Sequence, residues 1–305
     1  MGNYDLVVIT GPTAAGKTAV ASAVAAELNG EVISADSRQV YRRMNIGTGK
    51  DYGDYIVNDR QIPYHLIDIA EPGYRYNVFE YQRDFAKVYS DLKARNVFPI
   101  VCGGSGMYVD SIVTRYRLTE VPPDPVFREE MNRKKMEELI EMLKSYKTLH
   151  NKTDIDSKHR IIRALEIERF YHLAGEETWE MPEIKSLIAG IHLDRDDRRK
   201  RISERLEYRL RNGMVDEVRK LLDDGTDSET LIYYGLEYKY ITLYLLNELT
   251  YEEMTAKLET AIHRYAKRQM TWFRGMERKG IKIHWVDGLL PVSEKADRII
   301  SLLSD

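Results

Sequence analysis

The chain has 305 residues, 43% hydrophobic and 31% charged, enough for one large domain or two modest ones around a sizeable core. A net charge of −3 excludes bulk attraction to nucleic acid, so any such footprint must be a local patch. The apolar runs are only strand-length, no basic-plus-apolar leader is visible, and the one cysteine, Cys102, cannot pair internally. These features predict a cytoplasmic protein with no membrane segment, and Cys102 reads as a small buried hydrophobe.

The first element is the apolar run Leu6–Thr10, a predicted strand. It runs straight into Gly11-Pro12-Thr13-Ala14-Ala15-Gly16-Lys17-Thr18 and then a predicted helix over 17–28. The pattern G-x-x-x-x-G-K-T between strand and helix is a phosphate cradle. The glycines let successive N–H groups turn inward, Lys17 adds a point charge, and the Thr18 hydroxyl suits Mg²⁺. The helix aims its positive end at the same anion. The motif specifies a polyphosphate, not its carrier.

Further strands are predicted at Glu31–Ser34, Tyr64–Ile69 and Val97–Cys102, with a helix over 77–94. This alternation predicts a parallel α/β sheet with helices on both faces. Ligands on such sheets sit at the carboxyl ends of the strands. That edge would hold the cradle, Asp36-Ser37, Asp68 and Gly103-Gly104-Ser105. Asp36 closes its strand and could hold a metal, take a proton, or simply cap a helix. Asp68 has the look of a metal-holding aspartate. The Gly103-Gly104-Ser105 turn could admit a ligand to the backbone or be an ordinary tight turn.

Prolines at 122, 123 and 125 break the pattern, and a charged helical stretch follows. Met136, Leu139, Ile140 and Leu143 fall on one helical face, and a second helix is predicted from Ser157 to Leu173. We expect an inserted helical subdomain over 121–185, splitting a core of 1–120 and 186–305. Ile188–Leu193 reads as one more core strand. Basic helices follow, with Arg195, Arg198, Arg199, Arg205 and Arg209 in the first and Arg264, Lys267, Arg268 and Arg274 over 251–274. Glu204, Glu207 and Glu217 lie among them, so a solvated, ion-paired face competes with an RNA surface. The seven histidines show no zinc spacing.

Taken together the segments resemble the tRNA dimethylallyltransferase (isopentenyltransferase) family. Gly11–Thr18 looks like its phosphate loop, and Asp36-Ser37-Arg38-Gln39-Val40-Tyr41 like its Asp-Ser-x-x-x-Tyr segment. Ile46-Gly47-Thr48-Gly49-Lys50, His65-Leu66-Ile67-Asp68 and Gly103-Gly104-Ser105 with Tyr108 follow in the family's order. Arg163-Ala164-Leu165-Glu166 and Ala266-Lys267-Arg268-Gln269-Met270-Thr271-Trp272 resemble its two C-terminal signatures.

The resemblance implies a P-loop-type parallel sheet with an inserted helical subdomain and C-terminal helices. It implies transfer of a dimethylallyl group from its diphosphate to N6 of the adenine 3′ to a tRNA anticodon, with Mg²⁺. Gly11, Pro12, Thr13, Ala14, Ala15, Gly16, Lys17 and Thr18 would bind the diphosphate, Thr18 on the metal side. Asp36 would be the base, with Lys17, Thr18 and Ser105 also at the chemistry. Asp36, Ser37, Arg38, Gln39, Ser105, Arg128, His159, Arg160, Ile161, Ile162 and Arg163 would meet tRNA, the insert gripping the anticodon stem. The partners are then tRNA and dimethylallyl diphosphate, for a protein expected to be a monomer. Three departures stand out: Ser105 for the usual Thr, His263 for a usual Arg, and a short insert with Thr153-Asp154-Ile155-Asp156 in place of two familiar segments. Two other activities fit the residues: prenylation of free adenine nucleotides, and a nucleotide kinase with an arginine lid at 120–175.

Overall fold

The computed structural model describes residues 4–115, 118, 121–146, 155–174 and 181–304, which fall into two compact units. The first combines the stretches up to Tyr116 and from Met181 onward; the second is Arg117–Glu180, against the insert of 121–185 expected from the prolines. Thr153 and Asp154 of the insert lie outside the described residues.

The first unit is built on six parallel strands. They are β1 (Leu6–Thr10), β2 (Glu31–Ser34), β5 (Tyr64–His65), β6 (Pro99–Gly103), β7 (Ser186–His192) and β8 (His284–Asp287), in the order β5-β2-β6-β1-β7-β8. Two short strands, β3 (Ile56–Val57) and β4 (Arg60–Gln61), form a separate hairpin. β1 is central and buried on both faces, as its unbroken apolar run dictates. Val7 and Ile9 face α1 (Lys17–Leu28) and α12 (Val292–Ser304). Leu6 and Val8 face α2 (Val78–Ala94), α3 (Gly106–Val113) and α11 (Tyr251–Arg278).

A third cluster joins α7 (Arg195–Arg211), α8 (Met214–Asp223), α9 (Ser228–Tyr233), α10 (Leu236–Leu245) and α11 to the Val40–Met44 turn. The stretch 214–249 holds three helices, because Gly225 and Gly235 break it at positive φ. The predicted strand Tyr64–Ile69 stops at His65, since Leu66 and Asp68 have φ of 61° and 56° and cannot continue a pleat. β8 and α12 had no counterpart among the elements expected from sequence.

The second unit packs α4 (Pro125–Arg133), α5 (Met136–Tyr146) and α6 (Lys158–Ala174) around Phe127, Met131, Leu139, Leu143, Ile161, Ile162 and Leu165. Asp124 caps α4 by accepting from the Phe127 amide at 3.0 Å, with Pro125 at its first position.

Candidate active site

The carboxyl ends of β1, β2 and β6 open into a cavity of about 380 Å³, the size of a small-molecule site. Its floor is the turn between β1 and α1. Gly11 sits at φ +144°, and a Cβ there would lie 2.6 Å from the Ile191 carbonyl oxygen of β7. Gly16 is the left-handed N-cap of α1, which has no side-chain cap and no acid in its first turn. The helix therefore presents uncapped N–H groups to the cavity, where Thr13, Gly16, Lys17 and Thr18 line the wall.

Lys17 donates to the Pro12 carbonyl at 2.8 Å. Burial pushes its ammonium down to about 8, against the pull of Cys102 and Asp36. Arg205 of α7 reaches the Thr13 hydroxyl, and burial with the neighbouring Arg209 brings it down to about 10. Arg209 is ion-paired with Asp51 at 2.9 Å. The cationic end of the cavity therefore holds Lys17 and Arg205 without a carboxylate within ion-pair distance among the described residues.

Asp36 follows β2 and lines the same cavity. One oxygen accepts from the Arg38 amide at 2.9 Å, an Asx-type turn rather than a helix cap. The other oxygen has no hydrogen-bond partner among the described residues. Asp36 lines the same cavity as Lys17, Arg205 and Tyr265. Ser105 binds both the Ser37 amide, at 3.0 Å, and the Ser37 hydroxyl, at 3.2 Å. It thereby ties the β6 turn to the Asp36 segment. Gly103 is obligatory here: a Cβ would stand 2.2 Å from the Ala35 carbonyl oxygen. Gln39 donates to the Gly49 carbonyl at 3.0 Å.

Gln269 of α11 closes the frame. Its Oε1 accepts from the Thr13 amide at 2.9 Å and its Nε2 donates to the Gly104 carbonyl at 2.8 Å. One side chain thus fastens the β1 turn to the β6 turn. Sequence reasoning placed none of Arg205, Arg209, Glu237, Tyr265, Arg268 or Gln269 beside the phosphate loop, though all but Gln269 line the cavity. A signal existed for Arg209: it shares a buried face with Ile202 and Leu206, where an apolar residue would be ordinary. Glu237 is half-buried in the cavity lining, and desolvation there holds its carboxyl above the usual range.

Asp68 does not line this cavity. It accepts from the buried Lys50 ammonium and the Tyr52 hydroxyl, and so joins an internal ion pair instead of facing a metal. Cys102 is buried in the cavity floor, and burial pushes its thiol up to about 12. In the second unit Arg128 grips Glu166 through two bonds of 2.9 and 2.7 Å, and Arg163 shares the same buried carboxylate. Arg160 pairs with Asp156 at 2.6 Å, and His159 is exposed. Ile161 and Ile162 are 0% and 4% exposed in that unit's apolar core. Their side chains therefore offer no surface to RNA, which corrects the expectation placed on them; the helical period turns them inward while His159 and Arg160 face out.

A parallel sheet whose strand ends bring a glycine-rich turn, a helix N-terminus and a carboxylate into one cavity defines an α/β protein with its candidate site at the strand ends. The profile of the IPP transferase family matches residues 39–276, and that of isopentenyl transferase matches residues 4–63. The chain belongs to the IPP transferase family. It is 57% identical to tRNA dimethylallyltransferase 1 of Parabacteroides distasonis, over 100% of this chain and 99% of the relative. It is 53% identical to tRNA dimethylallyltransferase 2 of Porphyromonas gingivalis, over 97% and 98%. The full-length tRNA isopentenylpyrophosphate transferase of Bacillus halodurans superposes with a TM-score of 0.71 at 31% identity, over 99% of this chain and 96% of that one. A eukaryotic dimethylallyltransferase acting on tRNA shares the fold, with a TM-score of 0.70 at 20% identity over 94% and 74%.

Proposed function

We propose that this enzyme transfers the dimethylallyl group of dimethylallyl diphosphate to N6 of the adenine on the 3′ side of a tRNA anticodon. The observation that carries this reading is one cavity lined both by the glycine-rich turn with Lys17 and by Asp36, one of whose oxygens has no protein partner among the described residues. The full-length likeness to named tRNA dimethylallyltransferases supports the substrates.

The adenine amino nitrogen attacks the first carbon of the dimethylallyl group. The carbon–oxygen bond to diphosphate breaks, its electron pair stays on the diphosphate, and the N6 proton passes to Asp36. Lys17, Arg205 and the amides of the α1 end stabilise the charge that develops on the leaving group. Asp36 also fixes the base by accepting from N6. Ser105 holds the Asp36 segment in register through Ser37. The hydroxyl of Thr18, on the cavity lining, is the oxygen donor that would face Mg²⁺. When bound, that ion supplies Lewis-acid help to diphosphate departure.

Buried in a duplex stack the base would be out of reach, so the adenine must be extruded into the cavity. Arg38 and Gln39 on the cavity wall, and His159, Arg160, Arg128 and Arg163 on the second unit, are assigned to tRNA. No described helix is long and apolar enough to cross a membrane. A tRNA substrate and a lone buried thiol support work in the cytoplasm.

The test offers dimethylallyl diphosphate with unmodified tRNA, AMP or ATP and reads the products by mass spectrometry. Dimethylallyl-adenosine in tRNA is expected. Prenylated AMP beside untouched tRNA, or phosphoryl transfer from ATP, overturns the reading.

A further inference from the structure

An asparagine followed by glycine is a chemically fragile junction. The glycine nitrogen can attack the asparagine side-chain carbonyl, because no Cβ shields the approach. The chain holds two such junctions, Asn29-Gly30 and Asn212-Gly213, and two aspartate counterparts, Asp224-Gly225 and Asp287-Gly288. Three of these four glycine amides are tied down: Gly30 donates to the Ala25 carbonyl at 2.9 Å, Gly225 to Leu222 at 2.9 Å and Gly288 to His192 at 2.6 Å. Gly30 is also buried, with the Phe98 carbonyl oxygen 2.4 Å from where a Cβ would stand. The Gly213 amide alone has no acceptor among the described residues.

The turn explains this freedom. Asn212 ends α7, and Gly213, at φ +94°, begins α8. The Asn212 amide donates to the Arg209 carbonyl at 3.2 Å, and the Glu217 amide to the Gly213 carbonyl at 2.9 Å. The Gly213 N–H falls between the two helical ladders and joins neither. Exposure does not separate the two asparagines, since Asn29 and Asn212 both face water. The nucleophiles differ instead. Gly30 must give up a buried hydrogen bond before its nitrogen can turn, and Gly213 has none to give up. Among the described residues the Asn212 side chain is held by one exposed bond, from Nδ2 to the Tyr208 carbonyl at 2.6 Å.

We propose that Asn212-Gly213 is a site of spontaneous deamidation, and that its conversion loosens the α7–α8 turn behind the cavity. A solvent base takes the Gly213 amide proton, the nitrogen bonds to Asn212 Cγ, and the Cγ–Nδ2 bond breaks. Nδ2 takes a proton from water and leaves as ammonia, and a succinimide ring remains. Water opens the ring at either carbonyl. One product is aspartate; the other is isoaspartate, whose main chain runs through the side chain. Aspartate loses the donor to Tyr208 and sets an anion at the carbonyl end of α7. Isoaspartate also lengthens the main chain by a methylene. Arg209 of the cavity wall precedes this joint, and Glu217, which accepts from the amides of Asn45, Ile46 and Gly47, follows it. Gly213 itself packs toward Ile46, whose Cδ1 lies 3.7 Å from a Cβ built there. A longer joint shifts these anchors relative to one another, whichever substrate the cavity takes.

The experiment ages the full-length protein at mildly alkaline pH, natively and in concentrated guanidinium chloride. Asn29 and Asn212 are followed by peptide mass spectrometry and by isoaspartyl methyltransferase labelling. In guanidinium chloride both junctions lose their structure and should convert at similar rates. In the native protein Asn212 is expected to convert at least about tenfold faster than Asn29, whose amide must first open locally. Aged unaltered protein should lose melting temperature and prenyl-transfer activity in step with isoaspartate. Asn212→Gln, aged alongside, should gain no label at this junction and keep both.

Native conversion of Asn29 as fast as that of Asn212 overturns the site. So does an Asn212 that stays intact natively over the interval in which both convert in guanidinium chloride. Conversion of Asn212 with melting temperature equal to that of aged Asn212→Gln overturns the loosening. If the unaltered protein transfers no prenyl group to tRNA, the function proposed above fails, while the mapping and the melts still decide this site.

Discussion

Asp36 has one oxygen committed to the Arg38 amide and one turned loose, and this division separates its positioning from its chemistry. Asp36→Asn keeps an acceptor for the turn but removes the base. Single-turnover transfer is expected to fall about 10²–10⁴-fold, with tRNA affinity changed by no more than a few-fold. A variant that turns over at the original rate would remove Asp36 from the proton-transfer step. Lys17 gives a pH signature. Its ammonium titrates near 8 in the free protein, and an anion beside it must raise that value. Binding therefore takes up a proton above pH 8, and affinity for inorganic diphosphate falls as pH rises beyond 8, by up to about tenfold per unit. Calorimetric titration should show this extra fall in the unaltered protein and not in Lys17→Met. Parallel profiles would show that Lys17 does not face the anion.

At the scale of elements, much of the site is held by single side chains that bridge distant segments. Glu217 of α8 accepts from the amides of Asn45, Ile46 and Gly47 at 2.8, 2.7 and 3.0 Å, and from the Tyr238 hydroxyl at 2.6 Å. Gly47, Thr48 and Gly49 then border the cavity. Glu217→Ala strips three amides of their acceptor and is expected to cost at least about 3 kcal/mol in urea unfolding. Glu217→Gln, which keeps one acceptor oxygen, should recover part of it. Equal losses would mean that packing, not hydrogen bonding, holds the turn. Few of these bridges could be read from sequence. The strand–turn–helix of residues 6–28 is local, and its glycine spacing makes the turn legible directly. Glu217 and Gln269 look like ordinary helix residues until folding brings partners 170 and 256 positions away. Asp68 illustrates the opposite case: its local pattern resembles a metal-holding aspartate, while in three dimensions it pairs with Lys50.

Across the whole molecule, the alternation of apolar runs with helices was enough to predict a parallel sheet, and β1, β2 and α1 lie where those runs place them. The last strand and helix escaped notice because 284–287 is a short run, given meaning only by pairing with β7. The opposite edge of the sheet supplies a stability prediction. Glu31 of β2 bonds Arg95, at the end of α2, at 2.7 Å and His65 of β5 at 2.6 Å, tying three elements together. Arg95, ahead of His65, holds the Glu31 carboxyl down near 2. A depressed carboxyl stabilises the fold above its unfolded value and loses that contribution as pH falls from about 4.5 toward 2. Glu31→Gln should therefore be less stable by roughly 1–3 kcal/mol at pH 7, discounted for the exposed Arg95. Thermal melts should show the gap closing near pH 2, and a gap independent of pH would count against the ion pair.

The Gln269 bridge has a consequence in time. The amide of Thr13 waits for an acceptor 256 residues further along the chain. At synthesis rates of about 5–20 residues per second, roughly 10–50 s separate the two ends of that bond. Throughout that interval the nascent cradle exists without its clasp. The active site is thus among the last features of the molecule to be completed, although its most recognisable motif is among the first to be made.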